Sequence, residues 1–149
     1  MQRINSMNWI QEFSTNKKLY NNLSCFLNKY GVSGLEQAFH LYRITCQTYI
    51  CKNKLSISKI NIYDIYYLKI SRHYITIHTE HGIYHKYGTL KNELKILAPY
   101  GFINCSQSCI VSLNKIRDIH HQDVILINDE ILHMSRNYIN KVIIAFSQH

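Results

Sequence analysis

The chain has 149 residues, room for one domain or one domain with a small appendage and too few for two ordinary domains of about 100–150 residues each. Apolar residues make up 46% and charged residues 17%, which excludes a disordered chain of high charge and low hydrophobicity. Seventeen Lys and Arg against nine Asp and Glu leave +8 with histidine neutral, an excess that favours a polyanionic partner, nucleic acid ahead of an acidic membrane surface.

A short helix is predicted near Met7 to Phe13. From Asn16 to Tyr30 the residues Leu19, Leu23, Phe26, Leu27 and Tyr30 fall on one helical face, and Gly31 is a natural stop. Ser33 then stands three residues before Glu36 as in a capping box, and Leu35, Ala38, Phe39, Tyr42, Cys46, Tyr49 and Ile50 continue a second stripe, predicting a helix to about Cys51. After Lys54 the period changes. Ile62 to Ile70 reads as a strand, and Tyr74 to Lys86 as a hairpin of alternating β-branched and aromatic residues turning at Glu80-His81-Gly82. Leu90, Leu94 and Leu97 mark a short helix closed by Pro99 and Gly101. Four short strands follow, Cys109 to Leu113, Ile116 to His120, Val124 to Ile127 and Ile131 to Met134, and Ser135 is placed to cap a final helix through Ile143.

The organisation expected is therefore α+β, with a helical extension over 1–51 and a mostly antiparallel β domain over 52–149. No apolar run approaches the roughly 18–20 residues a membrane span needs, and the Met1 end lacks a signal pattern, so no membrane is expected. Five cysteines without C-x-x-C spacing fit free thiols in a reducing compartment, which points to the cytoplasm.

The β segment, roughly 54–146, carries an ordered series of elements. Asp64-Ile65-Tyr66-Tyr67-Leu68 comes first, and Tyr84 to Leu94, ending in Gly88-Thr89-Leu90-Lys91-Asn92-Glu93-Leu94, comes second. Phe102 with Ser108-Cys109-Ile110-Val111 and Ile116 forms the third, and Ser135-Arg136-Asn137-Tyr138 the last. In this order and spacing the segment resembles the LytTR family of bacterial DNA-binding domains. The resemblance implies an elongated β sandwich with short helices that reads the major groove of double-stranded DNA with loop side chains, as a transcription regulator, a homodimer on repeated half-sites, with no cofactor. It places base contacts at His73, Gln107 and Arg136. One departure stands out: Asn104, Ser106, Ser108 and Ser112 occupy places where the family usually offers Arg, His or another polar residue, Ser and Asn, which removes an expected phosphate contact.

Those residue types suit the task independently. Arg and Gln pair bidentately with guanine and adenine edges, and a loop imidazole can donate to a purine acceptor. Lys69, Arg72, Lys86, Asn104, Ser106, Ser108, Lys115, Ser135 and Asn137 around them are candidate backbone contacts, which position the domain without reading sequence.

Other chemistries have less support. His78 and His85 belong to opposite strands of the hairpin with His81 at its turn, and no zinc spacing accompanies them. No metal is expected. His120-His121 points to both faces of a strand. Neither Cys105 nor Cys109 carries a nucleophile signature, no phosphate-cradling glycine loop occurs, and no enzyme is expected. Helix, Gly31-Val32-Ser33-Gly34, helix resembles a helix-turn-helix, yet the second helix would offer Glu36, Gln37, His40, Arg43 and Gln47, with one fixed positive charge for a groove. Fifty residues are also too few for the receiver domain that phosphorylated regulators of the family carry in front. The alternative from another class is a protein-interaction module, in which the helices dock a partner and the basic surface is incidental.

Overall fold

The computed structural model describes residues 8–45 and 47–149. Met7, expected to open the first helix, and Cys46, expected on the second stripe, lie outside the described residues. Two compact units divide the chain, one ending at Arg43 and one spanning Ile44–His149.

The first unit is helical. Helix α1 covers Asn8–Thr15, and the Asn16 side chain then accepts the Leu19 N–H at 3.0 Å, the N-cap that starts α2 over Lys17–Thr45. Gly31, at φ 68° and ψ −171°, interrupts α2 with a backbone conformation essentially reserved for glycine. The two expected helices are thus two arms joined by one non-helical residue. Among the described residues of this unit none is buried.

The second unit is a mostly antiparallel β sandwich with short helices. Strands β1 (Thr48–Lys52) and β2 (Ile57–Asn61) form a hairpin, and β3 (Ile65–Ser71), β4 (Tyr74–Thr79) and β5 (Gly82–Tyr87) follow as a meander. Helix α3 (Leu90–Leu97) leads to β6 (Phe102–Ser106) and β7 (Cys109–Ser112), and then come β8 (Ile116–His120), β9 (Asp123–Leu126), β10 (Ile131–His133) and α4 (Ile139–Gln148). The sheets run β1-β2, β5-β4-β3-β7-β6 and β10-β9-β8.

Alternation makes the five-stranded sheet the middle layer. On one face Leu68, Ile75, Ile77 and Ile110 pack with Tyr49, Cys51 and Ile60 of the first hairpin and Leu90 and Leu97 of α3. On the other, Tyr67, Cys105, Cys109 and Val111 pack with Val124, Leu126 and Leu132 of the third sheet and Val142 of α4. All four residues of β7 are buried, as a strand covered on both faces requires. No helix of the described residues is long and apolar enough to cross a membrane.

Several sequence expectations need correction. The segment Tyr49 to Cys51 is strand, not helix: Tyr49 and Cys51 point into the core and Ile50 outward, a period of two that pairing with β2 selects. Residues 62–64 form a 3-10 turn instead of opening a strand, because the Asn61 side chain accepts the Tyr63 N–H at 3.0 Å. Strands β2 and β6 were not expected at all. Ser135 makes no side-chain cap; a 3-10 turn over Arg136–Tyr138 leads into α4, which runs past Ile143 to Gln148.

A polar knot sits within the first face. Glu93 is 3% exposed, accepts the Tyr49 hydroxyl and holds Lys86 Nζ at 2.8 Å. Burial, with the Glu93 carboxylate beside it, pushes the Tyr49 phenol far above its ordinary range. Removing one partner from such a set strands a buried charge, whereas replacing all of them with apolar groups does not. Glu93→Ala should therefore cost about 3 kcal/mol in urea unfolding, and the combination of Tyr49→Phe, Lys86→Met and Glu93→Leu should recover most of that loss.

Candidate nucleic-acid interface

Hydrogen bonding of the middle sheet places three turns at one end of the sandwich. The first is Arg72-His73, a two-residue link between β3 and β4 closed by the pair Ser71 and Tyr74. The second is the Gln107-Ser108 link between β6 and β7. The Ile70 N–H donates to Ser108 O at 2.9 Å, tying the second turn to the end of β3 beside the first. The third follows β10: the Ser135 N–H donates to Cys105 O at 3.1 Å, so Arg136 leaves from alongside the end of β6. His73, Gln107 and Arg136 are all exposed. The three residues expected to contact bases thus stand at the same end of the sandwich.

Their surroundings are ordered. The Ser106 hydroxyl accepts the Ser108 N–H at 3.2 Å, fixing the second turn, and Asn137 and Ser135 are exposed beside Arg136. Asn104 lies farther back, half-buried on β6 opposite Ile110. Lys69 is exposed on β3, with its ammonium 5.4 Å from the centre of the Tyr67 ring. Arg72 sits at φ 58°, a left-handed conformation that costs a side-chain-bearing residue about 1–2 kcal/mol.

Two lysines expected at the surface are elsewhere. Lys115 is 1% exposed, at the opposite end of the sandwich, with Nζ 3.6 Å from Glu80 and 4.3 Å from the Tyr63 ring centre. Lys86 is half-buried against Glu93 and Tyr49. Their charges are taken up by Glu80 and Glu93 inside the fold.

A further turn joins the group. The Met134 N–H donates to Gln122 O at 2.7 Å, which brings the His121-Gln122 link of β8 and β9 next to Ser135. His121 is exposed and left-handed at φ 53°. Nothing in the sequence pattern marks it, because its position follows from pairing between strands distant in the chain.

Charge is distributed unevenly along the sandwich. Asp64 and Glu80 are joined by a backbone bond at the end away from the three turns, and the turn carrying Asp129 and Glu130 is tied there through Lys115 O and the Ile127 N–H. Ligand atoms of Asp64, Glu80 and His81 lie within 4.8 Å of one another, with the Lys115 ammonium on Glu80 as a built-in counter-charge. His78 and His85 are in separate stacks, on Tyr67 at 4.2 Å and Tyr74 at 5.1 Å. Cys105 and Cys109 are 0% and 4% exposed, packed as core.

The antiparallel sandwich thus presents polar and basic turns together at one end, a surface suited to a polyanionic partner. Comparison agrees: the model of the LytTr DNA-binding domain matches residues 55–146. The chain belongs to the LytTR family and is a DNA-binding regulator. Its fold is also similar to a solved LytTr DNA-binding domain from Bacillus cereus, with TM-score 0.55 and 20% identity over 64% of this chain and 95% of that one. Among curated proteins none matches.

The strain at Arg72 separates folding from binding. Arg72→Gly should leave thermal stability nearly unchanged, because relief of the left-handed cost is offset by the entropy glycine loses on folding. DNA affinity should fall, with the slope of log K against log salt shrinking by about 0.9, measurable by fluorescence anisotropy on B-form duplex.

Proposed function

We propose that the chain is a cytoplasmic, sequence-specific transcription regulator of double-stranded DNA that reads the major groove with His73, Gln107 and Arg136. The observation that carries this reading is the gathering of those three exposed side chains on turns at one end of the sandwich, tied by the Ile70–Ser108 and Ser135–Cys105 hydrogen bonds. A groove about 12 Å wide admits projecting turns as readily as a helix. Lys69, Arg72, Ser106, Ser108, Ser135 and Asn137 flank the turns and supply phosphate contacts, with Asn104 a step behind them.

Two copies bind repeated half-sites. The helical unit supports this, because Trp9, Tyr20 and Phe39 are 55%, 55% and 60% exposed, an apolar surface that a second copy would cover. The same exposure favours a second reading, in which the helices dock a different protein. Tyr20→Glu with Phe39→Glu decides between them: sedimentation with a two-site duplex should fall from two copies to one if the helices dimerise. Two copies retained by this variant would favour the docking role.

Specificity and affinity separate by residue. Arg136→Ala should cost about 1–3 kcal/mol at one base pair and flatten preference there, while Lys69→Ala should weaken cognate and scrambled duplexes alike. A random-library selection of bound duplexes reads both effects. Equal losses on cognate and scrambled DNA for Arg136→Ala would remove it from the reading set.

A further inference from the structure

The first hairpin carries its own basic tip at the reading end. Asn53 pins that tip: its side-chain oxygen accepts the Leu55 and Ser56 N–H groups, each at 2.8 Å, and its amide nitrogen donates to His85 O at 3.0 Å. The anchor lies near the last residues of β5, where Tyr87 pairs with Tyr74 beside His73, and the Gly88 N–H donates to His73 O at 2.9 Å. The tip is therefore held next to the Arg72-His73 turn. Between it and the sheet runs a groove of about 520 Å³ lined by Asn53, Lys54, Tyr74, His85 and Tyr87. Lys54 is exposed along it, Lys52 lines an adjoining depression with Asn53, Lys54 and Tyr87, and residues 47–61 include Lys52, Lys54 and Lys59 with no Asp or Glu.

We propose that Lys52 and Lys54 form a phosphate clamp that extends the DNA contact beyond the three reading turns, onto the backbone of base pairs flanking the half-site. This rests on the DNA-reading function above. Lys52, Asn53 and Lys54 precede the residues that the family model matches, 55–146. Fixed cations on a pinned turn are suited to a clamp, because little backbone freedom remains to be lost on binding. No acidic side chain lines the groove, and Lys86, which does line it, is paired with Glu93. The Tyr74 and Tyr87 rings, exposed at 40% and 66%, wall the groove beside Lys54, and Tyr87 also lies beside Lys52.

The test uses the full chain carrying Lys52→Gln and Lys54→Gln, with Lys59→Gln, on the same outer face of the hairpin as Lys52 but two pairs farther from the tip, as a charge control, and two duplexes, one ending at the half-site and one extended by flanking pairs. On the extended duplex the double variant should flatten the slope of log K against log salt by about 1.8, the release of two counterions. It should match the wild-type protein on the short duplex, and Lys59→Gln should match it on both. Asn53→Ala, which frees the tip without removing charge, should weaken binding to the extended duplex alone. An unchanged slope for the double variant, or an equal change for Lys59→Gln, would overturn the clamp while leaving loss of base preference in Arg136→Ala intact. Failure of the wild-type chain to bind any duplex would instead overturn the reading function and the clamp with it.

Discussion

Two backbone hydrogen bonds decide what this molecule can present to a partner. Ile70 N–H to Ser108 O and Ser135 N–H to Cys105 O join three segments separated by tens of residues into one edge. Neither would hold without the middle sheet, whose β3 and β7 strands are covered on both faces and cannot slip register without moving apolar side chains onto the wrong layer. A turn on such a scaffold has few ways to move. That is the condition under which loop side chains can do what a docked helix does elsewhere, because their positions are set before the partner arrives.

Burial of charge follows from the same layering. Lys115 and Lys86 lie where the outer elements close over the sheet, and each is matched to a carboxylate and an aromatic ring, Glu80 with Tyr63 and Glu93 with Tyr49. Their removal from the surface makes the remaining charge more polarised. Asp64, Glu80, Asp129 and Glu130 collect toward the Lys115 end, and Lys52, Lys54, Lys69, Arg72 and Arg136 stay exposed toward the other, where Asp123 is paired with His133. Such an asymmetry orients a basic protein in the field of a polyanion before any specific bond forms.

Much of this fold was legible because half-buried strands announce themselves. The Tyr74 to Lys86 alternation and its Glu80-His81-Gly82 turn match β4 and β5 closely, and Leu90, Leu94 and Leu97 match α3. The failures have a common cause. Tyr49, Ile50 and Cys51 satisfy helical and strand periods at once, and only β2, which pairs with them, settles the choice. In β6 the run Phe102-Ile103-Asn104-Cys105-Ser106 lacks alternation because both of its faces are covered in part. Lys86 and Lys115 read as surface charge since partners distant in the chain bury them. At the candidate site the turns at His73, Gln107 and Arg136 could be read from family resemblance, whereas His121 and the Asn53 tip depend on long-range hydrogen bonds that no local pattern encodes.

The charge available at the reading end also bears on copy number. Lys69 and Arg72, with Lys52 and Lys54 in the proposed clamp, amount to about four charged phosphate contacts per chain, a salt slope near −3.6 on B-DNA. With so few contacts the electrostatic part of one domain's affinity is small, and each base contact adds only about 1–3 kcal/mol of discrimination. Linking two such domains doubles the electrostatic term and converts the second binding event into an intramolecular one. The helical unit buries none of its described residues and leaves large apolar side chains in solvent, a state that stands to gain from association. Few charged contacts on one sandwich and exposed apolar side chains on the helices therefore favour the arrangement proposed above: paired copies, each contributing one set of turns to one half-site.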